Sequence, residues 1–360
     1  MDATGSGKDT QALRGAANWI IVIGVMVGLW APLLYRPSAV PVNMAPTQLG
    51  KAFEQQFPFR AAWRWQYNFA RYWLLRALPI QVVKGEDGWL FYRGEAVDDG
   101  HVFDDFLGEV SPNEELVATW CETMAKRRAW LASRAIALAS LVVPNKETVY
   151  PDKLPDQLGR KRGRSRLDSL MEKCGSELID IRPALAAGRG PRDLYYPLGT
   201  HWTSFGAHIG YRATLRALPI DPIPRAAFQE KLRFDPDSWL LEFGGVIPDL
   251  SWELDPIESY PACREIEGRC QRILEPDGPK MLQHEPRGIT VTNPDEKLPT
   301  AVIFHDSFQM WLAPLLAQHF RTAVFVPGAF QAAFVERYKP DVVIIETVER
   351  YLARVVEPEP

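Results

Sequence analysis

Ser307 and His201 are the two side chains whose types and settings fit nucleophilic chemistry. Ser307 lies in Thr300-Ala-Val-Ile-Phe-His-Asp-Ser-Phe-Gln-Met-Trp311. The apolar run 301–304 reads as a buried strand and 308–319 as a helix, so the serine falls on the turn between them. That position is the carboxyl edge of a sheet, where α/β folds bind ligands. The N–H groups opening the new helix face outward and favour a developing oxyanion. An ordinary helix N-cap serine would give the same local pattern. A serine nucleophile needs a base, and His201 is the informative histidine. It sits in Leu194-Tyr-Tyr-Pro-Leu-Gly-Thr-His-Trp-Thr-Ser-Phe-Gly206, a loop among aromatics just before a helix. The other histidines have plainer settings: His208 within a helix, His319 near a helix end, His101 and His284 in polar loops. His305, beside the Asp-Ser pair, reads as packing or orienting the turn. Asn145, directly after a buried strand, reads either as an oxyanion donor through its amide or as a turn asparagine. Lys146 is an alternative donor, or a group for an anionic substrate.

The elements that would hold these groups alternate. Residues 82–92 read as two short strands around a Glu-Asp-Gly turn. Ser111-Pro-Asn-Glu114 opens a helix running to about residue 134. Residues 137–143 form a buried strand, 164–174 a helix, 177–181 a strand and 203–215 a helix. Strands at 301–304, 322–326 and 341–347, separated by helices, restore the βα order. Such alternation predicts a mainly parallel sheet covered on both faces. The Pro-rich stretch of about 220–298 reads as an irregular insertion with hairpin-like pieces.

The chain of 360 residues is 46% apolar and 24% charged, enough for a real core. A net charge of −4 gives no nucleic-acid footprint. No spacing resembles a metal site, and no cofactor is expected. Cys263 and Cys270 flank a stretch that reads as a hairpin tip and form the candidate disulfide in an oxidising compartment, whereas Cys121 and Cys174 sit in helical patterns and read as buried thiols. After a polar tail, 1–15, residues 16–35 are almost uninterruptedly apolar. At about 1.5 Å per residue they span a ~30 Å hydrocarbon core, with Trp19, Trp30 and Tyr35 near the ends. An uncleaved single-pass anchor is preferred to a signal peptide, because 31–35 is a poor cleavage site. Lys8 and Arg14 precede it and favour a cytoplasmic N-terminus. A linker, 36–50, then leads to an exported domain over 51–355, whose first part, 52–77, reads as an aromatic, amphipathic helix.

Five motifs occur in one order: Gly85-Glu-Asp-Gly-Trp-Leu-Phe-Tyr92; Val143-Pro-Asn-Lys-Glu147 with Tyr150-Pro-Asp-Lys-Leu-Pro155; Tyr195-Tyr-Pro-Leu-Gly-Thr-His-Trp202; His305-Asp-Ser-Phe308; and Lys339-Pro-Asp-Val-Val-Ile-Ile-Glu-Thr-Val-Glu-Arg-Tyr-Leu352. Together they resemble the SGNH-hydrolase-like domain of the alginate O-acetyltransferases AlgJ and AlgX, over about residues 50–355. The anchor and the lack of a long C-terminal extension resemble the AlgJ type. The resemblance implies a three-layer α/β/α fold, Ser307 as nucleophile and His201 as base. It also implies periplasmic O-acetylation of an exopolysaccharide at the inner membrane, with a membrane-bound O-acyltransferase partner supplying acetyl groups.

One departure bears on activity. The family's histidine motif reads Asp-Thr-His-Trp, and its aspartate orients the imidazole; here that position is Gly199. In triad enzymes the orienting acid is worth ~10⁴ in turnover. Asp193 folding back to the ring, a Ser–His dyad held by a backbone carbonyl, or a degraded site would each fit. Tyr195, Tyr196, Trp202 and Trp311 are candidates for stacking on sugars, with a place in the core the commoner role for such rings. These residues fit a polysaccharide O-acetyltransferase, an acetyl esterase, or a catalytically silent scaffold of an acetylation complex.

Overall fold

The computed structural model describes residues 78, 82–94, 101–110, 114–234, 250–256, 271–274, 289–293 and 295–354. The anchor of 16–35, the helix of 52–77 and the Cys263–Cys270 pair lie outside them. Among the described residues no helix is long and apolar enough to cross a membrane.

Strands β1 (Val82–Lys84) and β2 (Leu90–Tyr92) form the expected hairpin. Helices α1 (Val102–Phe106) and α2 (Glu114–Ala132) lead into β3 (Ala137–Val143). A short α3 (Lys146–Val149) follows, then α4 (Arg166–Cys174), whose N-terminus carries a reciprocal capping box between Ser165 and Asp168. Strand β4 (Ile179–Asp180), α5 (Arg182–Gly188) and α6 (Ser204–Ala217) complete the first half. The second half comprises β5 (Phe228–Phe234), β6 (Leu250–Pro256), β7 (Gln271–Leu274), β8 (Ile289–Thr292), β9 (Thr300–His305), α7 (Gln309–Leu316), β10 (Thr322–Pro327), α8 (Ala332–Tyr338) and β11 (Val342–Val348).

The central sheet runs β4-β3-β11-β9-β10-β8-β7. Its first five strands are parallel, and β8 and β7 are antiparallel additions. The stretch read as an insertion therefore supplies two strands to the main sheet, which is mixed but mostly parallel. Its remaining described strands, β5 and β6, pair as a separate antiparallel hairpin. Alternate residues of the parallel strands enter opposite layers. Leu141, Ile303 and Ile344 pack with α5, α6, α7 and the aromatics of the β1–β2 hairpin. Val142, Val302, Phe304 and Val343 pack with α2, α4 and α8. The result is a three-layer α/β/α core.

One cysteine expectation is overturned. Cys121 on α2 and Cys174 on α4 form a disulfide, with Cα atoms 5.6 Å apart. Both helices cover the same sheet face, which brings two distant cysteines within bridging range. Closing a loop of sequence separation 53 constrains the unfolded chain by about 4 kcal/mol. The double variant Cys121→Ser/Cys174→Ser should lose up to that amount in urea unfolding. Reducing agent should lower the wild-type midpoint and leave the variant unmoved.

Candidate active site

The functional groups collect where the parallel strands end. Beyond β9 come Asp306 and Ser307; beyond β3, Asn145 and Lys146; beyond β11, Glu349 and Arg350. His201 arrives from the loop before α6. Its Nε2 lies 2.9 Å from Ser307 Oγ. The histidine is 3% exposed, whereas Ser307 is exposed. The imidazole lies between Phe308 and Trp311, each with its ring centroid 4.9 Å away.

The turn holding the serine is tied down by Asp306. One of its carboxylate oxygens accepts from Phe308 N at 2.9 Å, and the other from Val348 N at 2.7 Å. Those bonds fasten the turn to the end of β11 and leave Asp306 no part at the imidazole. Asp306 N donates to Glu346 Oε2 at 3.1 Å. Burial, together with the adjacent Asp306 charge, holds Glu346 well above the usual carboxylate range. His305 Nδ1–H donates to Asp306 O at 2.8 Å, so this ring orients the turn. Among the described residues the Ser307 N–H has no protein acceptor, which leaves it for a developing oxyanion.

The histidine loop is folded on itself. Tyr195 and Trp202 form an antiparallel bridge, Tyr196 N donates to His201 O at 3.0 Å, and Thr203 N to Leu194 O at 2.9 Å. Lys146 lies beneath it, 3% exposed. Its Nζ donates to the carbonyls of Tyr196 and Pro197, both at 3.0 Å, and of Gly199 at 2.6 Å. The rings of Phe91 and Trp89 lie 4.9 and 5.4 Å from the same ammonium. Lys146 thus braces the loop instead of facing a substrate.

Other expectations change in the same way. Tyr195, Tyr196 and Trp202 are at most 1% exposed and belong to the core, not to a sugar platform. Tyr195 OH donates to Pro144 O at 2.5 Å and Trp202 Nε1 to Phe308 O at 3.0 Å, so their polar ends are used internally. Trp311 is half-buried and is the stacking candidate that keeps open surface. Asp193 is not brought onto the imidazole: Lys153, Arg189 and Lys146 are its charged neighbours, and burial raises its pKa. Asn145 stands two strands from Ser307, about 10 Å at sheet spacing. Its N–H donates to Glu349 Oε2 at 2.8 Å, and its side chain lines a small cavity with Thr200, Glu147 and Arg350. Sequence reading missed Glu253, whose carboxylate accepts from Tyr196 OH and, at 2.7 Å, from Ser204 N.

The buried acids give stability a pH dependence. Burial, with the nearby Glu349 charge, pushes Glu147 up to about 8. Burial pushes Glu349 up to about 7, opposed by the Asn145 N–H. Acids whose folded pKa is raised lose stability as pH climbs from the unfolded value to the folded one. His208 and His319 are lowered to about 4 by burial, so their penalty arises below pH ~6.5 and is absent above it. Between about pH 6.5 and 8.5 the glutamates act alone. Glu147 and Glu349 together should lower the unfolding free energy there by on the order of 2 kcal/mol, Glu346 adds in the same direction, and Glu147→Gln should remove the Glu147 share of the slope in denaturant titrations.

Residues 82–244 match the family model for the SGNH hydrolase-like domain of acetyltransferase AlgX. That span includes His201 and ends before Ser307. A search of curated proteins finds no match. Among solved structures, the chain is similar to PatB1 of Bacillus cereus, solved with a sulfonyl adduct, at 11% identity and a TM-score of 0.54, covering 78% of this chain and 99% of that one. It is also similar to a DHHW family protein of Eubacterium siraeum at 14% identity and a TM-score of 0.51, covering 74% of this chain and 90% of that one. The O-acetyltransferase domain of Pseudomonas putida AlgJ is similar at 17% identity and a TM-score of 0.44, covering 77% and 93%. Over residues 82–244, just under half of its length, the chain is thus similar to the SGNH hydrolase-like domain of acetyltransferase AlgX.

Proposed function

We propose that this protein is an O-acetyltransferase acting on an exported polysaccharide through an acetyl-Ser307 intermediate. The observation that carries this reading is the 2.9 Å approach of His201 Nε2 to Ser307 Oγ at the carboxyl edge of the sheet. His201 takes the hydroxyl proton as Ser307 attacks the donor ester. The tetrahedral oxyanion meets the Ser307 N–H, the donor alcohol leaves with the proton from His201, and acetyl-serine remains. A sugar hydroxyl then attacks, giving its proton to His201, and Ser307 Oγ departs, taking that proton back from His201, as the new sugar ester forms. Exclusion of water would separate this outcome from esterase chemistry.

The exported location is part of the proposal. The apolar segment 16–35 would anchor the chain in the inner membrane, with the domain in the periplasm beside a membrane-bound O-acyltransferase that supplies acetyl groups. The Cys121–Cys174 disulfide supports an oxidising compartment. A scaffold within the same complex is the second reading, favoured by Gly199 and by an Asp193 that does not reach the ring.

Full-length protein in detergent, given a chromogenic acetyl ester, should gain one acetyl increment by intact mass, mapped to Ser307. Acetyl transfer to oligosaccharides over release to water would establish the transferase. Absence of both adduct and turnover would leave the scaffold.

A further inference from the structure

We infer that Glu253 is the positioning acid of the histidine loop, a role that rests on the Ser307–His201 reading. Glu253 lies on β6, beyond the residues matched by the family model. It is 4% exposed. One carboxylate oxygen accepts from Tyr196 OH, before His201, and the other accepts from Ser204 N, after it, at 2.7 Å. The next residue reinforces the tie, since Leu254 N donates to Ser204 Oγ at 2.5 Å. A single carboxylate therefore holds the loop at both of its ends.

The geometry continues to the imidazole. Tyr196 OH, having donated its proton to Glu253, accepts from Trp311 Nε1 at 3.4 Å. The Trp311 ring lies against His201, 35° from coplanar, with Phe308 also packed on it. Ser204 N is an orphan donor at the start of α6, where a carboxylate also meets the positive end of the helix dipole. Lys146 braces the loop's carbonyls and Glu253 its donors, so two opposite charges grip one short segment. In families with Asp-Thr-His-Trp an aspartate within the motif orients the ring. Here residue 199 is glycine, and the acid reaches the loop from the β5–β6 hairpin instead. Glu253 does not touch the reacting atoms and acts only through where it holds His201.

The test uses full-length protein with a chromogenic acetyl ester, and hydrogen exchange of the peptide spanning 195–204. Glu253→Ala should lower kcat about 10- to 100-fold with KM for the small ester little changed, because a misplaced base costs turnover more than binding. Glu253→Gln keeps an acceptor for Tyr196 OH and should lose less than about tenfold. Tyr196→Phe added to Glu253→Ala should cost little more than Glu253→Ala alone, since both cut one path. Amide exchange across the loop should accelerate in Glu253→Ala. A kcat within about twofold of wild type, or full additivity of the two substitutions, would overturn the inference. If wild type itself forms no acetyl-Ser307, the functional reading fails and exchange alone decides: faster exchange in Glu253→Ala sustains the clamp, and unchanged protection overturns it.

Discussion

Replacing Ser307 by alanine is expected to abolish the acetyl adduct and to cut ester turnover by about 10²- to 10³-fold. The size of that loss is itself informative. In enzymes with a complete triad, removing serine or histidine costs about 10⁶, and removing the acid alone costs about 10⁴. A Ser–His pair lacking its acid therefore retains roughly 10² over the serine-free site. Phe308 and Trp311 pack on the His201 ring and Glu253 ties its loop, while the position two residues before His201 carries glycine and no carboxylate. This places the expected ratio near the dyad figure and slightly above it. A ratio near 10⁶ would mean that another group orients the ring as well as a carboxylate does. A ratio near one, with no adduct in wild type, would sink the acyl-serine mechanism. Single-turnover assays measure the ratio without product release.

The parallel strands were legible because both of their faces are buried. Residues 137–143, 301–304, 322–326 and 341–347 are dominated by Val, Ile, Leu, Ala and Phe, with polar residues mainly at their ends apart from Ser140 and Glu346, which are buried. The structure places β3, β9, β10 and β11 over nearly the same residues. Strands β7 and β8 were not legible: they are four residues each and include Gln271-Arg272 and Thr290, so they lack a continuous apolar run. Ser307 and His201 were readable because each stands at the junction of an apolar element and a loop. Glu253 was not, because its partners Tyr196 and Ser204 are 57 and 49 residues away in sequence. A carboxylate in a strand looks solvent-facing until the chain that covers it is known. The cysteines failed for the same reason, since α2 and α4 meet only in three dimensions. For Tyr195, Tyr196 and Trp202 the structure decides between the two roles left open. An aromatic cluster around a candidate base suits a sugar platform or a core, and these rings are the loop's own core.

Lys146→Met is expected to damage stability and catalysis together, and the pairing of effects separates two roles for this lysine. The ammonium serves the buried carbonyls of Tyr196 and Gly199 and the part-buried one of Pro197, which also accepts from Leu90 N. Methionine approximates its length and apolar stem but donates nothing, so those oxygens lose their shared donor. An unsatisfied buried polar group costs about 1–3 kcal/mol, and partial relaxation of the loop should leave a net loss of about 3–5 kcal/mol. The loss should appear as a lower urea midpoint with an unchanged slope. Gly199 stands just before Thr200 and His201, so freeing its carbonyl lets the imidazole drift from Ser307 Oγ. A displacement near 1 Å is enough for about a 10²-fold fall in kcat. Acetyl-Ser307 should still form on long incubation, because the nucleophile is untouched. A lysine that bound an anionic acceptor would behave otherwise. Its loss would raise KM for charged oligosaccharides, spare turnover of a neutral acetyl ester, and leave the urea midpoint where it was. The ester assay and the unfolding curve on the same preparation therefore decide whether Lys146 holds the substrate or, as its carbonyl partners indicate, the base.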